Sequence, residues 1–220
     1  METVRICVDQ EARSGQDNMA RDEAMLEQAA AGCLETHLRL YSWSEPTVSL
    51  GYFQKEQTSL DPRLQHCAVV RRITGGGAIL HHHELTYSCA LPAAHPAKHN
   101  PLSVYDVVHK AIIDVLRACG VSSCLRRDSL QARQTAEDVF LCFLRADPRD
   151  IVIGYDKIVG SAQRRRKGSI LQHGSILLKA SELTPEVPGI HDLCSQFDEA
   201  SFRQLLPEAL RKALQHDAIE

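Results

Sequence analysis

At 220 residues the chain has the length of one large domain, and its 44% apolar content is enough to bury a real core. Its 25 basic and 28 acidic residues leave a formal charge of −3, and aromatics are 5%, so neither nucleic acid nor an anionic membrane surface is an expected partner. No apolar run is long enough to span a bilayer, the opening METVRICVDQEARS has no basic segment or apolar signal core, and the 8 cysteines include no CxxC pair. Together these suggest a reduced, cytoplasmic protein whose cysteines are mostly buried fillers.

Val4 to Val8 reads as a strand. A helix capped by Asp17 is expected to run to about Gly32. Strands are expected at Leu38–Tyr41 and Thr47–Tyr52, and a short helix near Leu60–His66. Ala68–Arg72 and Ala78–His81 read as strands flanking Gly75, Gly76 and Gly77, and Leu85–Leu91 as a third. Val104–Arg117 has helical spacing, with Gly120 as its stop. The polar stretch from Arg126 to Asp138 reads as a loop or frayed helix. Ile151–Ile153 and Lys157–Val159 flank a Gly-Tyr-Asp turn and predict a hairpin. Ser175–Leu178 is another strand, and Asp198–Leu214 an amphipathic helix with Leu205, Leu206, Leu210 and Leu214 on its apolar side. Hairpins with helices between them predict an α+β fold, a mixed, largely antiparallel sheet flanked by helices. With no repeat or linker visible, residues 1–220 are read as a single domain.

Five features can carry chemistry. Thr74-Gly75-Gly76-Gly77 lets backbone N–H groups approach a ligand, with Arg71 and Arg72 beside it to pair with a phosphate or carboxylate. The same glycines also suit a flexible hairpin turn. His81, His82 and His83 invite a metal, but only His81 and His83 share a strand face and no further ligand is suitably spaced. A polar strand end with one functional histidine is the better reading, with no metal. Cys142, just before Phe143 and a polar, proline-containing turn, suits a nucleophile if Lys157, Arg164 or His173 supplies positive charge; a buried filler is the alternative. Lys157 begins an apolar strand after a tight turn, a place from which an ammonium can enter a pocket and bind a carbonyl or phosphate. The run Arg164 to Lys167 is either a solvated loop or a dock for an acidic partner.

These blocks resemble the lipoate–protein ligase and octanoyltransferase family of the biotinyl/lipoyl protein ligase superfamily. Arg71-Arg72-Ile-Thr-Gly-Gly-Gly-Ala-Ile-Leu-His81 is similar to its RRxTGGGxxxH signature, Lys157-Ile-Val-Gly-Ser-Ala-Gln163 to its KxxGSAQ, and Leu171 to Leu178 to its LQHGSILL. Gly51-Tyr-Phe-Gln54 fits an upstream strand. Cys142-Phe143 ahead of Lys157, with Glu84 to Ser88, looks like the Bacillus-type octanoyl-[glycine cleavage H protein] transferase branch. The resemblance implies the catalytic-domain fold of that superfamily and ping-pong acyl transfer. Octanoyl-acyl carrier protein would be the donor, Cys142 the nucleophile, Lys157 the oxyanion group, and a lipoyl-domain protein such as glycine cleavage H protein the acceptor, with no cofactor. Substrate binding would fall to Arg71, Arg72, Thr74, Gly75, Gly76, Gly77, His81, Gly160, Ser161, Ala162, His173 and Gly174. Cys194 is roughly where another octanoyltransferase branch places its cysteine and ranks second. The alternatives are an ATP- and magnesium-dependent lipoate ligase, a lipoyl amidotransferase between carrier proteins, and a non-catalytic carrier-binding descendant.

Overall fold

The computed structural model describes residues 3–54, 61–129 and 146–215. Strand β1 (Val4–Val8) leads to helix α1 (Gly15–Ala30). The cap of α1 is Ser14, whose hydroxyl accepts from the Asp17 N–H; Asp17 itself sits in the first turn, so the predicted cap was three residues late. Then come β2 (Thr36–Tyr41), β3 (Thr47–Leu50), a 3₁₀ turn at Pro62–Leu64, β4 (Ala68–Arg71), β5 (Ile79–His81) and β6 (Glu84–Leu91). Helix α2 (Ser103–Ala118) stops at Gly120, whose φ of 86° is the left-handed conformation glycine favours there. The remaining strands and α-helices are β7 (Cys124–Leu125), β8 (Ile151–Ile153), β9 (Asp156–Arg166), β10 (Ser169–Leu177), α3 (Ile190–Leu193) and α4 (Glu199–Ala213), with further 3₁₀ turns at Pro96–Lys98 and Arg126–Asp128.

A seven-stranded sheet runs β1-β2-β6-β10-β9-β8-β7, parallel only between β1 and β2. Its central strands β6 and β10 are buried along their whole lengths, because both sheet faces are covered. On one face Leu38, Leu40, Cys89 and Leu91 pack with Val108 and Ile112 of α2 and Phe202, Leu206 and Leu210 of α4. On the other, Ala90 and Leu171 pack with Leu26 and Ala29 of α1. Leu205, expected on the apolar side of α4, is 46% exposed; Phe202 takes the inward place one turn earlier.

The second sheet has three strands in the order β4-β3-β5. The strands on either side of the glycines therefore do not pair with each other, and the glycine turn is not a hairpin. β3 lies between them, parallel to β4 and antiparallel to β5. Strands β9 and β10 are far longer than predicted. Arg164, Arg165 and Arg166 end β9 rather than forming a loop, and the turn is made by Lys167 (φ 50°) and Gly168 (φ 84°). Of the described cysteines only Cys89 and Cys119 are buried, so most are not core fillers. No helix among the described residues is long and apolar enough to cross a membrane.

Candidate active site

The glycine turn closes over the α1 side of the large sheet and makes a cleft of about 530 Å³. Arg72, Gly75, Gly76, His81, Lys157, Gly160, Ser161, Ala162, His173 and Gly174 line it, along with Tyr41, Trp43 and Thr86. Gly77 lines a shallower continuation that also holds Tyr105, Ala146 and Asp150. Thr74 is buried behind the wall, and Arg71 lies on the exposed side of β4. Cys142 lies outside the described residues. Cys194 lines neither part of the cleft; its Sγ is 3.5 Å from the Gly120 carbonyl oxygen, at the far end of α2.

The two arginines build the turn. Arg72 is 2% exposed and donates to the carbonyl oxygens of Gly75 (2.8 Å), Gly77 (2.7 Å) and Ser49 (2.9 Å). Arg71 donates to the carbonyls of Gly51 and Gln54. Gly51 must lack a side chain because a Cβ there would run into the Gly76 carbonyl oxygen.

Thr74 joins the turn to β10. Its hydroxyl is 2.6 Å from His173 Nε2, while His173 Nδ1 is 2.9 Å from Asp22 Oδ2. Asp22 Oδ2 also accepts from Tyr41 (2.9 Å), and the His173 Nδ1–H donates to the same carboxylate. His81 is held in the same way, between Glu84 Oε1 (2.9 Å) and Ser49 Oγ (2.7 Å), with the Trp43 ring stacked on it at 3.8 Å. Burial would raise the Glu84 carboxyl, but the contact with His81 overrides it and leaves the group below the usual carboxylate range. His82 and His83 diverge from His81: they stack on each other at 3.7 Å near Glu182 and line a separate cleft.

Lys157 is 8% exposed, and its Nζ is 2.9 Å from Asp150 Oδ1. Its side chain folds back across Gly160, where a Cβ would collide with Lys157 Cε. Burial pushes the Asp150 carboxyl up, and the lysine charge only partly reverses this.

Beneath the lysine a polar chain crosses the sheet. Gly174 stands between Tyr87 and Ser161 in the register, and without a side chain there the two hydroxyls meet at 2.7 Å. His109 Nδ1 is 2.6 Å from the Arg149 carbonyl oxygen, which can only accept, so Nε2 must accept from Ser161 Oγ at 2.7 Å. Ser161 then accepts from Tyr87, and Tyr87 from Gln172 Nε2 at 2.8 Å. Burial, with the nearby Lys157 charge adding to it, pushes His109 down to about 4. This has a consequence for stability. The unfolded chain takes up the His109 proton near pH 6.5, whereas the folded protein refuses it until about pH 4. Stability is therefore full above about pH 6.5 and falls as pH drops toward 4, by something on the order of 3 kcal/mol. Urea unfolding across pH 4–7 should reveal that slope, and His109→Gln should flatten it; an unchanged slope in the variant would reject a neutral buried His109.

Asp22, Asp150, His109 and Tyr87 were not singled out from the sequence. They come from α1, the approach to β8, α2 and β6; only His109, an imidazole in the apolar-faced α2, carried a local signal, while Asp22 and Asp150 sit in polar stretches and Tyr87 is an ordinary strand residue.

The family model for the lipoyl protein ligase A/B catalytic domain matches residues 14–206. An octanoyltransferase LipM of Geobacillus kaustophilus is 37% identical over 172 residues, 75% of this chain and 62% of that protein. One from Carboxydothermus hydrogenoformans is 37% identical over 185 residues, 81% of this chain and 66% of its own. The match thus spans a little under two thirds of these relatives. Among solved structures, a putative lipoate protein ligase from T. acidophilum with bound lipoic acid superposes with a TM-score of 0.73 at 23% identity, covering 97% of this chain and 86% of that one. A lipoate-protein ligase A bound with ATP gives 0.72 at 23%, with the same coverage. These structures share the fold, as the α+β reading of the sequence expected.

Proposed function

The chain belongs to the lipoyl protein ligase A/B catalytic-domain family, and on that premise we propose that it is an octanoyltransferase of lipoate metabolism. It takes octanoyl groups from acyl carrier protein and passes them to a lysine of a lipoyl-domain protein such as glycine cleavage H protein. The observation that carries this reading is the buried Lys157–Asp150 pair at the wall of the cleft, in a chain 37% identical to octanoyltransferases over three quarters of its length. Residues 1–220 would act as one catalytic domain in the reducing cytoplasm, where a free thiol persists.

The Cys142 thiolate attacks the thioester carbonyl of the donor, the carrier's thiolate leaves and takes a proton, and the octanoyl group becomes a cysteine thioester. The acceptor lysine, as a free amine, attacks that thioester. Cys142 leaves as thiolate, and the amine proton passes to solvent. A thioester replaces a thioester and then yields a more stable amide, so no nucleotide is consumed. Both tetrahedral intermediates put negative charge on the former carbonyl oxygen, and the Lys157 ammonium, held by Asp150 in a poorly hydrated wall, is the donor for it. The glycine turn, His81 and His173 shape the acyl cleft.

The donor would dock on the rim beside the cleft. Tyr52 and Phe53 are 45% and 79% exposed, and the Arg164 guanidinium lies 4.4 Å above the Tyr52 ring. With the guanidinium of Arg164 over an exposed aromatic pair, this makes an apolar and basic rim for an acidic carrier face. Arg164→Glu should raise KM for octanoyl-acyl carrier protein severalfold at low salt, an effect that added salt shrinks, with kcat little changed. A KM that does not move would place the donor elsewhere.

The reading is tested by incubating the protein with octanoyl-acyl carrier protein and apo glycine cleavage H protein without ATP, and weighing the acceptor by mass spectrometry. An octanoyl adduct is expected. An acceptor modified only when free lipoate, ATP and magnesium replace the carrier would make the protein a ligase. Transfer only from an already lipoylated protein would make it an amidotransferase, and no adduct under any condition would leave a non-catalytic binder.

A further inference from the structure

Away from the cleft, Cys33, Glu35 and His37 bring a thiol, a carboxylate and an imidazole together where α1 hands over to β2. They fall at alternate positions, Cys33 and Glu35 in the bend before β2 and His37 on the strand itself. His37 Nε2 is at the vertex, 3.9 Å from Cys33 Sγ and 3.8 Å from Glu35 Oε2, and the three ligand atoms lie within 4.8 Å of one another. Tetrahedral zinc, with bonds of about 2.3 Å to sulfur and about 2.0–2.1 Å to nitrogen and oxygen, spaces its ligands roughly 3.3–3.6 Å apart. The two His37 contacts need to close by only a few tenths of an ångström, and the Cys33–Glu35 pair closes from no more than 4.8 Å.

The backbone beneath it is fixed. Gly32, at φ 103°, turns the chain out of α1, and the Cys33 N–H donates to the Gln28 carbonyl at 3.1 Å, the kind of bond that caps a helix end. His37 sits on β2 between two partners, opposite Arg5 of β1 and Ala90 of β6. Closure is thus a matter of side-chain rotation. One thiolate, one imidazole and one carboxylate suit a borderline-soft ion rather than magnesium or calcium, which take oxygen ligands. Three protein ligands leave a fourth position for water.

We propose that Cys33, Glu35 and His37 form a binding site for a zinc ion that braces the α1–β2 corner. Binding releases the Cys33 thiol proton, so affinity rises with pH. His37 pairs with Ala90, whereas the cleft-lining residue of β6 is Thr86, four positions along the strand. The ion would therefore stand apart from acyl transfer, and the proposal holds or fails independently of the enzymatic reading.

The test uses the whole chain, reduced and stripped of metal, titrated with cobalt(II) as the spectroscopic stand-in and then with zinc. One equivalent is expected to bind, with a sulfur-to-cobalt charge-transfer band and the strong visible absorption of tetrahedral cobalt, both removed by zinc. Cys33→Ser should abolish the band, and His37→Ala should weaken zinc binding at least tenfold. All three side chains are partly or fully exposed, so the variants keep the fold, and zinc should raise Tm in the parent but not in Cys33→Ser. A band that survives Cys33→Ser, no band at all, or binding lost only in His83→Ala, which would point to the His82–His83–Glu182 cluster, each overturns it.

Discussion

Replacing Lys157 by methionine is expected to slow octanoyl transfer about 100- to 1,000-fold, the usual cost of losing a donor to a developing oxyanion. Loss of rate alone would not establish that role, because Lys157 is buried against Asp150 at 2.9 Å. Removing one member of a buried ion pair typically costs about 3–5 kcal/mol, and here Asp150 would keep, as a charged partner, the longer contact with Arg126 Nε at 3.6 Å. The discriminating variant is Lys157→Met with Asp150→Asn. The double change removes both charges, so stability should return most of the way to the parent while the rate stays low. A double variant that recovers both would mean the lysine serves the fold rather than the chemistry. Gly160→Ala makes the same point with the lysine retained. Gly160 has no left-handed φ to lose, but the added methyl occupies the space of Lys157 Cε. The ammonium is then displaced, and the rate should fall at least tenfold with Asp150 unchanged. Unaltered acylation in Gly160→Ala would show that the position of the ammonium does not matter.

How far the sequence spoke for the structure depended on the range of the forces involved. Local signals were legible: the glycine stop of α2, the Ile151–Val159 hairpin, and the motif residues Lys157, His173 and the glycines, which do converge on one cleft. Even within helices, a cap was misplaced because Ser14 and Asp17 are both good cap residues three positions apart, and propensity alone does not choose between them. What was not legible is pairing across the chain. Nothing local says that β3 inserts between β4 and β5, so the glycine turn reads equally well as a hairpin. The arginines ending β9 read as a loop because charge suggests solvent, yet a strand can carry them while its partner β10 supplies the burial. The groups that orient the site are the least visible: Asp22 reaches His173 across 151 positions, and His109 reaches Ser161 across 52. Their roles exist only once the sheet has formed.

Replacing Cys142 by alanine should have the largest effect of all, abolishing the octanoyl-enzyme and turnover with it. Two cysteines compete for this role on sequence grounds, and the geometry of one of them, Cys194, is described. Cys194 packs with the core at the α3 terminus, 3.5 Å from the Gly120 carbonyl, and lines no part of the cleft. Cys142 is only four positions before Ala146, which shares the shallow continuation of the cleft with Lys157. A nucleophile must reach a carbonyl that Lys157 also touches, and the far end of α2, where Cys194 sits, does not border the cleft. The measurement is intact mass after mixing with octanoyl-acyl carrier protein alone. The parent should gain one octanoyl group that neutral hydroxylamine removes, as a thioester requires, and Cys194→Ala should do the same. Cys142→Ala should gain none while unfolding in urea as the parent does. An adduct that persists in Cys142→Ala but disappears in Cys194→Ala would reverse the assignment, and with it the claim that the thiol and Lys157 act on one carbonyl. An adduct resistant to hydroxylamine would indicate an amide on a lysine and remove cysteine catalysis from the mechanism.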